Sequence, residues 1–193
     1  MFCLMGLDLS ARGAGVCVLS ADGEVLYEDV FGIELPRNAS LDVKTLRLLK
    51  ISEWVIDVFN KYKPEEIGVE EYAYGTPNRN TVLSEINGCV RLQLYLAGFR
   101  GLRYVGVGMS RKIVLGRGNA PRGEKVKDFV ERRLNEMNVS LKVDDDNVRD
   151  AFVIVEALRQ IIIDPRKGIA KCRKKTKKKR RRSQKKKQLS LLT

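Results

Sequence analysis

Residues 3–33 read as three strands in succession, and this opening restricts the fold more than any other feature of the chain. Cys3–Leu9 is one apolar run (CLMGLDL) and Gly15–Ser20 is a second (GVCVLS). Asp22-Gly23 follows, a dipeptide suited to the positive φ of a hairpin turn. Val25–Ile33 then alternates apolar and polar residues, as a half-buried strand does. Three consecutive antiparallel strands are the expectation.

The period then changes. Leu41–Tyr62 predicts a helix, with Leu46, Leu49, Trp54, Val55, Val58 and Phe59 broadly on one face. Ser40 suits its N-cap and Pro64 marks its end. Ile67–Tyr72 predicts a fourth strand, Thr81–Leu96 a helix, and Leu102–Val107 a fifth strand. Arg122–Met137 and Asn147–Ile163 predict two further helices. Hairpin strands feeding helix-crossover strands give an α/β fold with a mixed sheet flanked by helices. The right-handed crossover rule places the fourth strand beside the first.

Charge divides the chain in two. Of a formal net +13, residues 165–193 contribute 15 Lys or Arg and no acid, leaving 22 basic against 24 acidic residues in 1–164. The expected organisation is a folded domain over 1–164 and a basic tail over 165–193. The run 171–187 repels itself and has no apolar surface to bury, so it is expected to be disordered alone. A polyanion is its natural partner, bound through counterion release; a localisation signal is the other reading.

The chain has no histidine. That excludes a Ser-His-Asp triad, a Cys-His pair and a His-ligated zinc. Four cysteines (Cys3, Cys17, Cys89, Cys172) lack CxxC spacing, so neither zinc nor a disulfide framework is indicated. Cys3 and Cys17 stand in apolar runs and are expected to be buried free thiols. No stretch reaches the roughly 18 apolar residues of a membrane helix, and the apolar residues 1–6 are too few for a signal peptide. The expectation is an intracellular protein, cytoplasmic, or nuclear if the tail is a localisation signal.

Three acids interrupt apolar segments. Asp8 lies in the first strand, Glu70 in the fourth (IGVEEY), and Asp144-Asp145-Asp146-Asn147-Val148-Arg149-Asp150 leads into the apolar helix AFVIVEAL. A carboxylate in such a place is costly unless partnered. If the first and fourth strands are neighbours, Asp8 and Glu70 converge at one end. Asp146 and Asp150, four apart, share a helical face. Each acid has a plain structural reading as well: a strand end, an outward-facing strand position, a helix cap. Taken together, and without histidine, they point to oxygen ligation of a hard cation, Mg²⁺ or Mn²⁺. Two such ions suit phosphodiester hydrolysis.

The pattern resembles the RuvC family of Holliday junction resolvases, within the ribonuclease H-like superfamily. The residues that carry it are GLDLSARGAGVCVLS around Asp8, IGVEEYAY around Glu70 and DDNVRDAFVIVEAL around Asp150, with Lys112, Gly116-Arg117-Gly118 and Lys125 between them. The resemblance spans roughly residues 1–163 and leaves out the tail. It implies an Mg²⁺-dependent endonuclease that binds branched DNA as a homodimer and makes paired, symmetric nicks. It implies that Asp8, Glu70 and Asp150 bind two Mg²⁺ (Mn²⁺ substituting), with Lys112 and Lys125 near the scissile phosphate and Arg111 beside them on DNA. The family's last motif often reads Asp-x-x-Asp. Here the position three before Asp150 is Asn147, so Asp146 is the substitute ligand, with the neutral oxygen of Asn147 as the other source. An aromatic following the Glu motif stacks on bases in the family, which implies that role for Tyr74 and for Tyr72, with packing in the core as the equal alternative for Tyr72. Neither a membrane nor a small-molecule substrate is expected.

Three other functions share parts of this pattern. The opening hairpin also resembles the phosphate-binding hairpin of actin-like-fold phosphotransferases, which need a second such domain. A YqgF-like nuclease acting on RNA has the same fold, and a non-catalytic DNA-binding module is the third.

Overall fold

The computed structural model describes residues 2–10, 12–71 and 77–169, and of residues 77–82 and 169 the backbone alone. Its strands are β1 (Cys3–Leu9), β2 (Gly13–Ser20), β3 (Val25–Gly32), β4 (Glu66–Glu70) and β5 (Leu102–Val105). Its helices are α1 (Leu41–Tyr62), α2 (Pro77–Leu96), α3 (Val107–Leu115), α4 (Val126–Glu136), α5 (Asp146–Ile163) and α6 (Arg166–Ile169). The chain divides into two units, residues 1–159 and 160–193. Within the second, Arg166 is paired with Asp164 at 2.9 Å and the Lys167 ammonium donates to Gln160 at 2.8 Å. The basic run 171–187 lies outside the described residues, as do Tyr72 and Tyr74. No helix among the described residues is long and apolar enough to cross a membrane.

The first unit is built on one five-stranded sheet in the order β3-β2-β1-β4-β5. β1, β2 and β3 pair antiparallel, while β4 joins β1 in parallel and β5 joins β4 in parallel. This is the expected mixed sheet, with the fourth strand beside the first. β1 and β2 are buried along their whole length, which explains why they are apolar but for Asp8 and Ser20.

Alternation sorts the side chains of these strands to two faces. Met5, Leu7, Val16, Val18, Ile67 and Val69 form one core with Ile51, Val55 and Phe59 of α1 and Ile86, Val90 and Leu94 of α2. The Ser40 hydroxyl accepts from the Val43 N–H at 3.4 Å and caps α1. The helix stops at Lys63, which adopts φ 50° just before Pro64.

The opposite face carries Gly6, Gly15 and Gly68, and there α5 comes close to the sheet. A methyl on Gly6 would stand 2.2 Å from the Ala151 carbonyl oxygen, and one on Gly15 would stand 2.4 Å from the Asn147 carbonyl. The helix can lie this near only because those strand positions have no Cβ. Its sheet-facing stripe runs Asn147, Ala151, Ile154, Val155 and Leu158, the spacing of one helical face.

Several elements differ from expectation. The fifth strand ends at Val105, and Val107–Leu115 forms helix α3, in a stretch to which the sequence assigned no element beyond Val107. Gly106 and Gly108 argue against a helix by propensity. Gly106 is the N-cap, however, and the backbone of Gly118 crosses Gly108 so closely that a methyl on Gly118 would stand 2.4 Å from the Gly108 carbonyl oxygen. It is Gly118 whose smallness this crossing requires. The next helix starts at Val126, four residues later than expected, because Lys125 is its extended N-cap. Helix α2 starts four residues early, at Pro77, a residue suited to a first helical turn.

Candidate active site

Asp8 and Glu70 occupy neighbouring parallel strands, one position beyond the Leu7–Val69 pair. Both therefore lie on the α5 side of the sheet, at the carboxyl ends of β1 and β4. Ligand chemistry gathers at such strand ends in open α/β sheets. Asp8 is buried, with 9% of its surface exposed. Glu71 is the exposed member of the Glu pair and Glu70 the inward one, as alternation requires.

Asp150 approaches from the second turn of α5. Burial holds the Asp8 carboxyl far above the ordinary carboxylate range, and the negative charges of Asp150 and Glu70 push it the same way. The neighbouring Asp8 and Glu70 carboxyls also act on each other, Glu70 raising Asp8 further and Asp8 lowering Glu70. Glu70 is nevertheless raised on balance, because its own burial outweighs that effect. Three carboxyl groups thus lie close enough for their charges to act on one another, and Asp8 and Glu70 are both raised.

One cation does reach them. Arg111 of α3 places Nη2 at 3.0 Å and 3.3 Å from the two oxygens of Asp150. Its charge also lowers both Asp8 and Glu70. Lys112, the next residue, is exposed. Adjacent helical positions differ by about 100°, so only one of the two can face the acids. Lys125 is likewise exposed, at the N-cap of α4.

Asp146 has other partners. It forms an ion pair with Lys127 of α4 and accepts from Arg149 at 3.1 Å. Arg149 also pairs with Asp144 and, at 3.4 Å, with Glu131. Asp145 caps α5, its carboxylate accepting from the Asn147 N–H at 2.7 Å and the Asn147 side-chain amide at 2.9 Å. Asn147 itself rests on Gly15, the register partner of Asp8. Asp146 and Asp150 do share a flank of the helix, but Asp146 is turned one step farther from the sheet.

The structure therefore brings together Asp8, Glu70, Asp150 and Arg111. It places Lys112 and Lys125 on exposed surface and engages Asp146 with cations. Sequence reasoning gave Arg111 a DNA contact only and missed its place among the acids, since choosing between Arg111 and Lys112 requires knowing that α3 is a helix. It also missed Lys127 and Arg149 as partners of Asp146.

The donor set fits a hard divalent cation. It consists of carboxylate and amide oxygens without imidazole or thiolate, and Asp8, buried against two other acids, lacks the charge a metal would supply. Among the described residues no three such side chains stand in ligating geometry as they are.

No protein-family model and no curated protein matches this chain. Solved structures do. Thermus thermophilus RuvC in complex with a Holliday junction substrate superposes with a TM-score of 0.62, at 18% identity over 81% of this chain and 92% of that one. The chain has the RuvC fold. A second Thermus thermophilus RuvC structure gives a TM-score of 0.64 at 16% identity, covering 83% of this chain and 95% of that one. The yeast mitochondrial Holliday junction resolvase Ydc2 gives 0.54 at 11% identity, covering 81% and 77%. The mixed sheet and its flanking helices are the features that the RuvC fold and this chain have in common, as the opening three strands led one to expect.

Proposed function

We propose that the chain is a structure-selective endodeoxyribonuclease that resolves four-way DNA junctions by paired, symmetric nicks. The observation that carries the reading is the meeting of Asp8, Glu70 and Asp150 at the strand ends of a RuvC fold. Solved relatives of that fold are Holliday junction resolvases, one of them bound to its junction.

Asp8, Glu70 and Asp150 would hold Mg²⁺ or Mn²⁺, with a further oxygen from Asn147 or Asp146. Two such ions supply an activated water and a counter-charge for the leaving oxygen. The chain's own residues bind and orient the DNA. Arg111, Lys112 and Lys125 lie on α3 and at the start of α4, where their charge meets phosphate. Tyr72 and Tyr74 stack on bases opened at the junction, each worth about 1–3 kcal/mol. The tail adds affinity without sequence preference.

A homodimer supplies the two nicks. Its support is the apolar surface left on the last turns of α2, where Leu92, Tyr95 and Leu96, spaced to share one helical face, are all exposed. Patches of this kind mark association surfaces.

The test is incubation of the full chain with labelled four-way junction, linear duplex and structured RNA, in Mg²⁺ and in EDTA. Mg²⁺-dependent nicking of the junction at symmetry-related positions is expected. Preference for structured RNA assigns the chain to RNA processing, and junction binding without cleavage makes it a binding module.

A further inference from the structure

We propose that Arg111 is the resident cation of the acid cluster in the metal-free protein, and that a divalent ion binds there only in exchange for it. The inference rests on the reading of Asp8, Glu70 and Asp150 as metal ligands.

Four observations carry it. Nη2 of Arg111 lies within hydrogen-bond reach of both Asp150 oxygens, so the carboxylate is engaged along the edge a metal would use. The ion pair is sheltered, with the two side chains 16% and 30% exposed. The guanidinium acts on all three acids, being the positive charge that lowers Asp8 and Glu70 as well. Finally, Arg111 Nε is buried with no hydrogen-bond partner among the described residues. Arginine presents five donors, and leaving one of them buried and unmade is costly. The docked position is therefore a compromise from which the side chain can be displaced.

Charge balance leads to the same exchange. Three carboxylates carry at most three negative charges, and two divalent ions already exceed them. A guanidinium retained on Asp150 would add a like charge at contact distance in a sheltered site, where repulsion is least screened. The absence of ligating geometry among the described acids accords with this, since both Asp150 oxygens are engaged by Arg111.

A purely structural arginine makes the opposite forecast. Its removal would loosen the site and weaken metal binding together with stability. Exchange requires the two to move apart.

The experiment is a calorimetric titration of Mn²⁺ into the full chain without DNA, with thermal melting in EDTA and in Mn²⁺. The proteins are the native chain, Arg111→Gln and Arg111→Lys. Arg111→Gln is expected to melt lower than the native chain in EDTA, yet to bind Mn²⁺ on the order of tenfold more tightly. Arg111→Lys, which keeps the charge without the fork, is expected to fall between and carries the comparison should Arg111→Gln not fold. Equal or weaker Mn²⁺ binding by the variants overturns the exchange while leaving the metal ligands in place. Absence of Mn²⁺ binding by native and variant proteins alike overturns the exchange and the ligand assignment together.

Discussion

Gly15 of β2 is the register partner of Asp8 of β1, and it is also the residue on which the backbone of Asn147 rests. One strand position thus fixes both the buried acid and the height of the helix that carries Asp150. The missing Cβ of Gly15 is what lets α5 deliver its first two turns to the strand ends.

Gly15→Ala should therefore injure site and stability together. The added methyl would stand 2.4 Å from the Asn147 carbonyl carbon and oxygen, so the start of α5 must lift. Overpacking of this kind costs about 1–3 kcal/mol. The expected outcome is a lower denaturation midpoint and loss of Mn²⁺ affinity in one variant, read by urea unfolding and calorimetry. Unchanged Mn²⁺ affinity would separate the helix position from the site.

Asn147→Ala should reduce Mg²⁺-dependent cleavage more than Asp146→Asn. The sequence favours Asp146, because a carboxylate is the better Mg²⁺ ligand. The geometry reverses this order: Asp146 is paired with Lys127 and Arg149, while Asn147 lies against the partner of Asp8. Single-turnover rates across a Mg²⁺ titration decide it, and a larger loss in Asp146→Asn would return the role to that residue.

Stability of the metal-free protein should fall as pH rises. The native pKa of Asp8 lies above the ordinary 3.8, so between 3.8 and that raised value the folded chain holds a proton that the unfolded chain has released. Glu70, raised from 4.5, acts in the same direction. Melting temperatures in EDTA should accordingly decline from mildly acid toward neutral pH, and Asp8→Asn should flatten the decline and melt higher at neutral pH. Parallel profiles for the two proteins would show that Asp8 is not the group responsible.

How much of this was legible in the sequence differs by element. The hairpin opening, α1 with its Ser40 cap, and the acids at Asp8, Glu70 and Asp150 were readable, because burial and turn chemistry leave a local imprint on residue type. Helix α3 was not, since Gly106 and Gly108 weaken its propensity and the close crossing of Gly118 over it is seen only in the tertiary fold. The engagement of Asp146 was hidden for the same reason: Lys127 is nineteen residues away and belongs to a different helix. The sharing of a face by Asp146 and Asp150 was correctly expected, but which way that face points depends on the packing of α5 over Gly6 and Gly15.

Removing residues 166–193 should weaken binding to every DNA and flatten its salt dependence, while leaving preference for the junction. That segment holds 15 positive charges and no acid. Each duplex phosphate contact contributes a slope of roughly −0.9 in log affinity against log salt. Affinity titrations at several salt concentrations, with junction and duplex, test it. Loss of junction preference with general affinity intact would place structure recognition in the tail.

The most direct test of the central assignment is Asp8→Asn, measured for both binding and cleavage of a labelled four-way junction in Mg²⁺. Asn keeps the size of the side chain and removes the charge at the point where three acids meet. The account predicts junction binding like that of the native chain and no nicking. Nicking at the native rate would contradict it and remove Asp8 from the chemistry.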